Sequence, residues 1–219
     1  MTGVHPIEAE SYRRLADRVD LSGLSEGCRA VVARAIHATA DLDYAHTMVV
    51  TEEAVGTGVA ALAGGAPVVV DVEMVRQGLS PGLRARARCG LAPAGSTGAP
   101  PPDGGPPTRS ARGIRAAAAE HPDGAVVVVG CAPTALAEVV SLTRAGTLTP
   151  ALVVGVPVGF VGAAEAKEAL RATGCPAISN IGDKGGSALA AAIVNALARL
   201  VPDPDGGPGR SPGGGQGPR

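Results

Sequence analysis

Apolar residues along the chain fall into two rhythms, and the alternation between them outlines a fold. Around Ser11 the pattern is that of an early amphipathic helix. Val31, Val32, Ala35 and Ile36 then recur at helical spacing behind Ser25, a capping residue, with Glu26 in the first turn. That helix is expected to run out near His37. Thr51-Glu52-Glu53 opens a second, Ala-rich helix that Gly64-Gly65 stops. Next comes Pro67-Val68-Val69-Val70-Asp71, a continuous apolar run of the kind that marks a buried strand. Between 80 and 107 Pro, Gly and Ala dominate, and only 84–91 reads as a strand, the rest as loop. From 108 the rhythm is regular: helix 108–120, strand 125–129, helix 133–145, strand 151–156, helix 162–172, strand 177–179 and helix 186–200.

Apolar strands alternating with helices of roughly ten to fifteen residues predict a three-layer, Rossmann-like α/β fold. Its central sheet is expected to be predominantly parallel, with helices on both faces and right-handed crossovers. Residues 1–201 read as a single α/β domain. The stretch 202–219 holds seven glycines and five prolines in eighteen positions. It cannot bury enough surface to offset the entropy of ordering, so a disordered tail is expected there.

Composition narrows the chemistry. Phe160, Tyr12 and Tyr44 are the only aromatics, so the core must be built from Val, Ala, Leu and Ile, and no face exists for stacking bases. A formal charge of -1 argues against a general nucleic-acid binder, which needs a clustered positive excess. Of nineteen basic residues only Lys167 and Lys184 are lysines, so an anion site would rest on guanidinium forks that grip carboxylates bidentately. Cys28, Cys89, Cys131 and Cys175 are dispersed, without the spacing of a zinc site. No signal pattern and no apolar run of about eighteen residues is present. A cytoplasmic protein with reduced thiols, bound to neither membrane nor nucleic acid, is expected.

In parallel sheets ligands bind beyond the carboxyl ends of the strands, where loops and helix N-termini converge. The unusual sequences lie in that zone: Asp71-Val72-Glu73-Met74-Val75, Gly130-Cys131-Ala132-Pro133-Thr134-Ala135-Leu136, Gly155-Val156-Pro157-Val158-Gly159-Phe160-Val161-Gly162 and Gly182-Asp183-Lys184-Gly185-Gly186-Ser187. Each can present backbone N–H groups to an anion, although each alone is also ordinary turn chemistry. None is a nucleotide motif: the glycines at 155, 159 and 162 are spaced by four and three, where a dinucleotide fingerprint needs two and three. Thr108-Arg109-Ser110 opens a helix and aims Arg109 toward the same edge. His37, at the end of its apolar helix, can exchange a proton near neutral pH, yet by itself it reads as a half-buried side chain. Arg34 lies one turn before it.

Taken in order, Ser11-Tyr12, the 34–37 segment, Asp71 to Val75, Thr108-Arg109-Ser110, Ala132-Pro133-Thr134-Ala135-Leu136, Pro157-Val158-Gly159-Phe160-Val161-Gly162-Ala163 and Gly185-Gly186-Ser187 resemble the precorrin-8X methylmutases, also called precorrin isomerases. The resemblance spans roughly 7–200. It implies an α/β enzyme of cobalamin biosynthesis, usually a homodimer, that moves a methyl group from C-11 to C-12 of the macrocycle to give hydrogenobyrinate. In the related anaerobic route the substrate already holds cobalt. An intramolecular 1,5 shift asks for no redox cofactor and no metal from the protein. On the family's pattern His37 is the proton donor. Ser11, Arg34, Asp71, Arg109, Ser110, Thr134, Gly159, Phe160, Gly185 and Gly186 are the expected substrate-binding residues. Arginines and the amides of the Gly185-Gly186 turn would hold the rim carboxylates, while Val158, Phe160 and Ala163 would supply an apolar floor. Asp71 and Glu73 are expected to bond arginines or ring nitrogens.

The chain departs from the family in places. Cys131 stands where asparagine is usual before Ala-Pro-Thr, and a thiol substitutes poorly for a carboxamide in a ligand hydrogen bond. Val70 replaces a common cysteine, and Asp183-Lys184 replaces a basic or apolar pair. Catalysis is expected to survive these changes. Two other readings are a non-catalytic corrinoid-binding or scaffold protein, which would tolerate loss of His37, and a nucleotide-dependent α/β oxidoreductase, which would need a phosphate-binding glycine loop.

Overall fold

The computed structural model describes residues 5–91 and 108–202. The loop expected at 92–107 and the tail expected beyond Pro202 lie outside the described residues. In chain order the elements are α1 (Pro6–Ala16), α2 (Glu26–Thr39), α3 (Tyr44–Thr47), β1 (Met48–Val49), α4 (Glu52–Ala63), β2 (Val68–Val70), α5 (Glu73–Gly78), α6 (Pro81–Arg86), β3 (Ala87–Cys89), α7 (Arg109–Glu120), β4 (Val126–Val129), α8 (Pro133–Arg144), β5 (Leu152–Gly155), α9 (Ala163–Arg171), β6 (Ala177–Asn180) and α10 (Ser187–Arg199). Local chemistry accounts for several boundaries. Thr51 and Thr108 each accept the amide three residues on, capping α4 and α7. At the end of α2, Ala40 takes φ 54°, a left-handed conformation that glycine usually fills, and its amide closes onto Ile36 O at 2.7 Å.

The strands form one sheet in the order β1-β6-β5-β4-β2-β3. All pairings are parallel except β1 with β6, where Met48 faces Asn180. The predicted strand at 84–91 is corrected: Ser80-Pro81 starts helix α6, which reaches Arg86, and only Ala87–Cys89 pairs, with β2. Proline fits a first helical turn, since its missing N–H has no partner there. The short elements α3, β1 and α5 have no signature in the sequence, being too brief to set up a hydrophobic period.

Alternation along the strands divides the core in two. Val68, Val70, Val126, Val128, Leu152, Val154 and Ile178 face a layer made by α2, α4, α5 and α10. Val69, Val127, Val129 and Val153 face α7, α8 and α9 through Ile114, Leu136, Val139 and Leu170. Each valine so buried contributes about 1.5 kcal/mol or more, and burial on both sides explains the unbroken valine runs. The three-layer arrangement follows.

The order of the strands carries a functional consequence. From β2 the chain moves outward to β3 and then returns to the other side of β2 for β4, so strand order reverses between β2 and β4. A crevice for ligands opens at such a switch point, beyond the carboxyl ends of the strands.

Candidate active site

His37 ends the apolar face of α2, directly after the buried Ile36, and is itself half-buried. Its Nδ1 is paired with Ser11 Oγ at 2.9 Å. The Tyr12 ring lies over the imidazole with centroids 4.9 Å apart and planes 14° from parallel. Burial, and secondarily the Arg34 guanidinium, hold the imidazole pKa below the ordinary histidine value, while Glu8 works in the opposite direction. An open groove of about 620 Å³ runs past the ring, walled by Ile7, Ser11, Leu15, Ile36 and Leu42, with Arg18 and the Arg14–Glu10 pair, at 2.7 Å, among its polar groups. Apolar walls with guanidinium groups among them suit a flat polycarboxylate.

Arg34, expected to meet substrate, donates instead to Glu8 Oε1 at 3.0 Å, and Arg199 from α10 reaches the same oxygen at 2.8 Å. The motif strings give Glu8, Tyr12 and Arg199 no site role, Tyr12 standing only beside Ser11 in one of them. For the first two a signal existed, because Glu8, Ser11 and Tyr12 stand three and four residues apart and share one face of α1. Arg199 carries no local signature.

The remaining site residues gather at the strand ends. Asp71, buried after β2, accepts the amides of Gly130, Cys131 and Ala132 at 3.1, 2.8 and 3.0 Å. Burial pushes its pKa up, and these three N–H groups oppose the shift. The expected bonds from Asp71 to arginines or ring nitrogens are corrected: both oxygens serve the loop that crosses the switch point. Glu73 does bind an arginine, Arg76, at 2.8 Å. Arg109 and Ser110 open α7, the arginine exposed. Thr134 opens α8, and its Oγ1 meets Thr108 Oγ1 at 2.8 Å, which ties the two helix starts together.

Two glycine loops interlock beside them. The Gly159 amide donates to Asp183 O at 3.0 Å and the Gly186 amide to Val156 O at 2.9 Å. The expectation that the Gly186 amide receives a carboxylate is therefore corrected, since that donor is used within the fold. Gly185 cannot be larger: a Cβ there would stand 2.2 Å from Val156 O. Phe160 is 95% exposed and Val158 is exposed, so both can form an apolar floor. Ala163 is fully buried and cannot.

Lys167 secures this region from below. Fully buried, it donates to Asn180 Oδ1 at 3.2 Å and Lys184 O at 2.8 Å, and burial pulls its pKa down to about 8. Lys184 in turn reaches Asp41 and Asp43, just past α2. Hydrogen bonds join Thr108 to Thr134 at the starts of α7 and α8, Gly159 to Asp183 between the two glycine loops, and Lys184 to Asp41 and Asp43 beyond the end of the His37 helix. Among the described residues the groove at His37 is lined only by α1, α2 and the segments that follow them, and Lys184 links the segment after α2 to the strand-end loops.

No helix among the described residues is long and apolar enough to cross a membrane. The family model described as precorrin-8X methylmutase matches residues 6–200. The cobalt-precorrin-8 methylmutase of Synechocystis sp. is 39% identical over 211 residues, covering 90% of this chain and 96% of its own. The precorrin-8X methylmutase of Pseudomonas aeruginosa is 39% identical over 197 residues, covering 88% and 93%. Among solved structures, precorrin-8X methylmutase from Thermus thermophilus superposes with a TM-score of 0.77 at 38% identity, covering 90% of this chain and 98% of that one. Agreement over nearly the whole length, in sequence and in fold, means that the chain belongs to the precorrin-8X methylmutase family.

Proposed function

We propose that the protein isomerises precorrin-8X to hydrogenobyrinate, moving a methyl group from C-11 to C-12, with His37 as the proton donor. One observation carries the assignment of His37: its ring is held by Ser11 and Tyr12 on the wall of an open, largely apolar groove that Arg14 and Arg18 also line. Ser11 engages Nδ1, which leaves Nε2 as the nitrogen for substrate. Burial keeps the free imidazole poorly protonated, and a bound polycarboxylate adds negative charge that favours the imidazolium. The substrate thereby prepares its own acid. A proton or strong hydrogen bond given to the tetrapyrrole favours the tautomer from which the methyl migrates, an effect typically worth about a hundred- to ten-thousandfold. Ser11, Arg109, Ser110 and Thr134 are the side chains proposed to meet substrate, on a floor that includes Phe160. Arg34 is committed to Glu8 and acts on the site through that bond rather than by meeting substrate. Asp71, Gly159, Gly185 and Gly186 act by shaping the loops that frame it.

The relatives include enzymes named for metal-free and for cobalt-bearing substrates at the same identity. The family resemblance also supports a homodimer in the cytoplasm, with residues 1–201 as one domain. Incubating purified protein with precorrin-8X, and separately with its cobalt complex, and following the absorption spectrum tests the reading. His37→Ala is expected to abolish conversion while product still binds. Failure of the unmutated protein on both substrates, under conditions where a known isomerase works, overturns the assignment.

A further inference from the structure

We propose that Glu8 is a positioning residue: it seats helix α1 over His37, and through that seat sets the hydrogen bonding and burial of the imidazole. The inference rests on the reading of His37 as proton donor and extends it to what holds the donor in place. Helix α1 has no fully buried residue, so the hydrophobic effect holds it weakly; only Tyr12 and Leu15 pack partly against the core. Yet α1 supplies both neighbours that define the His37 environment, Ser11 and Tyr12. Something else must fix its position. Glu8 does so from one turn before those residues, on the same face. Its Oε1 receives Arg34 from α2 at 3.0 Å and Arg199 from α10 at 2.8 Å, with the carboxylate side chain only 21% exposed. A single oxygen thus joins α1 to two separate helices of the core layer. The charged groups that bear on His37 are Glu8 from α1, Arg34 from α2 and Arg199 from α10, and Glu8 sits between the other two.

The two things Glu8 does to His37 have opposite signs, which makes the inference testable without substrate. As a nearby negative charge, Glu8 favours the imidazolium, so losing the charge with α1 still seated lowers the His37 titration midpoint. As a clamp, Glu8 keeps the ring buried, so releasing α1 exposes the ring and raises the midpoint toward the ordinary value of 6.5. The experiment titrates the histidine ring signals of the full-length protein by NMR, with His37 identified through His37→Ala, in Glu8→Gln and Glu8→Ala. In parallel, hydrogen exchange is followed at the amides of α1 and α10. Both variants are expected to raise the His37 midpoint, Ala at least as far as Gln, and to speed exchange in α1 tenfold or more while α10 stays protected. Protection of α10 also reports that the core has folded. A midpoint that falls or stays put, or α1 exchange that matches the unmutated protein, overturns the inference. Should the midpoint rise while His37→Ala still converts substrate, the clamp stands and the catalytic reading of His37 is the part that fails.

Discussion

Lys184 Nζ stands 2.6 Å from Asp41 Oδ2, pinning the turn after β6 to the segment that follows the His37 helix. Asp43 Oδ2 shares the ammonium at the same distance, and the two carboxylates hold the lysine above its ordinary range. Exposed ion pairs stabilise little, because solvent and salt screen them. Lys184→Ala should therefore leave the melting temperature nearly unchanged. The turn that carries Gly185 and Gly186 would nevertheless lose its tie to α2, and KM for the tetrapyrrole should rise several-fold at low salt with kcat retained. Steady-state kinetics at two salt concentrations check this; an unmoved KM refutes it.

The depressed His37 pKa predicts the shape of the pH profile. The unfolded chain takes up the histidine proton at about 6.5, before the folded protein does. Between the two midpoints the unfolded state holds more protons, so this group's share of stability is intact above 6.5 and declines as pH falls through the window below it. His37→Ala should show a shallower loss of urea midpoint on acidification. If the imidazolium is the catalyst, kcat/KM rises as pH falls through a midpoint below 6.5, and the midpoint in kcat lies higher because bound carboxylates favour the charged ring.

Asp71→Asn tests the loop at the switch point. One carboxylate satisfies three amides, whereas asparagine offers one oxygen and turns its NH2 toward the remaining donors. Stability should fall by about 1–3 kcal/mol, read as a lower urea midpoint, with kcat/KM reduced as well.

Lys167→Met asks whether the buried ammonium supports the turn from β6. Its removal leaves Asn180 Oδ1 without that donor, and Lys184 O keeps only Asn180 Nδ2 at 2.8 Å. A loss of about 1–3 kcal/mol at neutral pH is expected. The folded lysine titrates near 8 against 10.5 in the open chain, so between those values the unfolded state binds more protons and this group makes the protein more stable as pH rises. Urea midpoints below and above pH 8 should show that rise in the unmutated protein and lack it in the variant.

Much of this molecule is legible along the chain because its period is local. Valine runs such as 126–129 announce strands buried on both sides, and Thr51 and Thr108 mark helix starts by a bond to the amide three residues on. The strand ends that hold Asp71, Gly130 and Asn180 follow from that alternation, as does the end of the helix at His37. The motif strings identify the family and its chemistry on the same terms, since each is a short run of neighbouring residues.

Partnership across long separations was settled in three dimensions. Nothing near Asp71 announces that its oxygens take three amides some sixty positions on, and nothing near Arg34 announces that Glu8 occupies it. Sequence pattern encodes which face of an element is buried; which polar groups meet across packed faces depends on helix placement to within an ångström or so, because a hydrogen bond fails beyond that tolerance. The same reason governs α1. Its amphipathic period predicts a helix, but only the docked arrangement brings Ser11, Tyr12 and Glu8 to bear on His37.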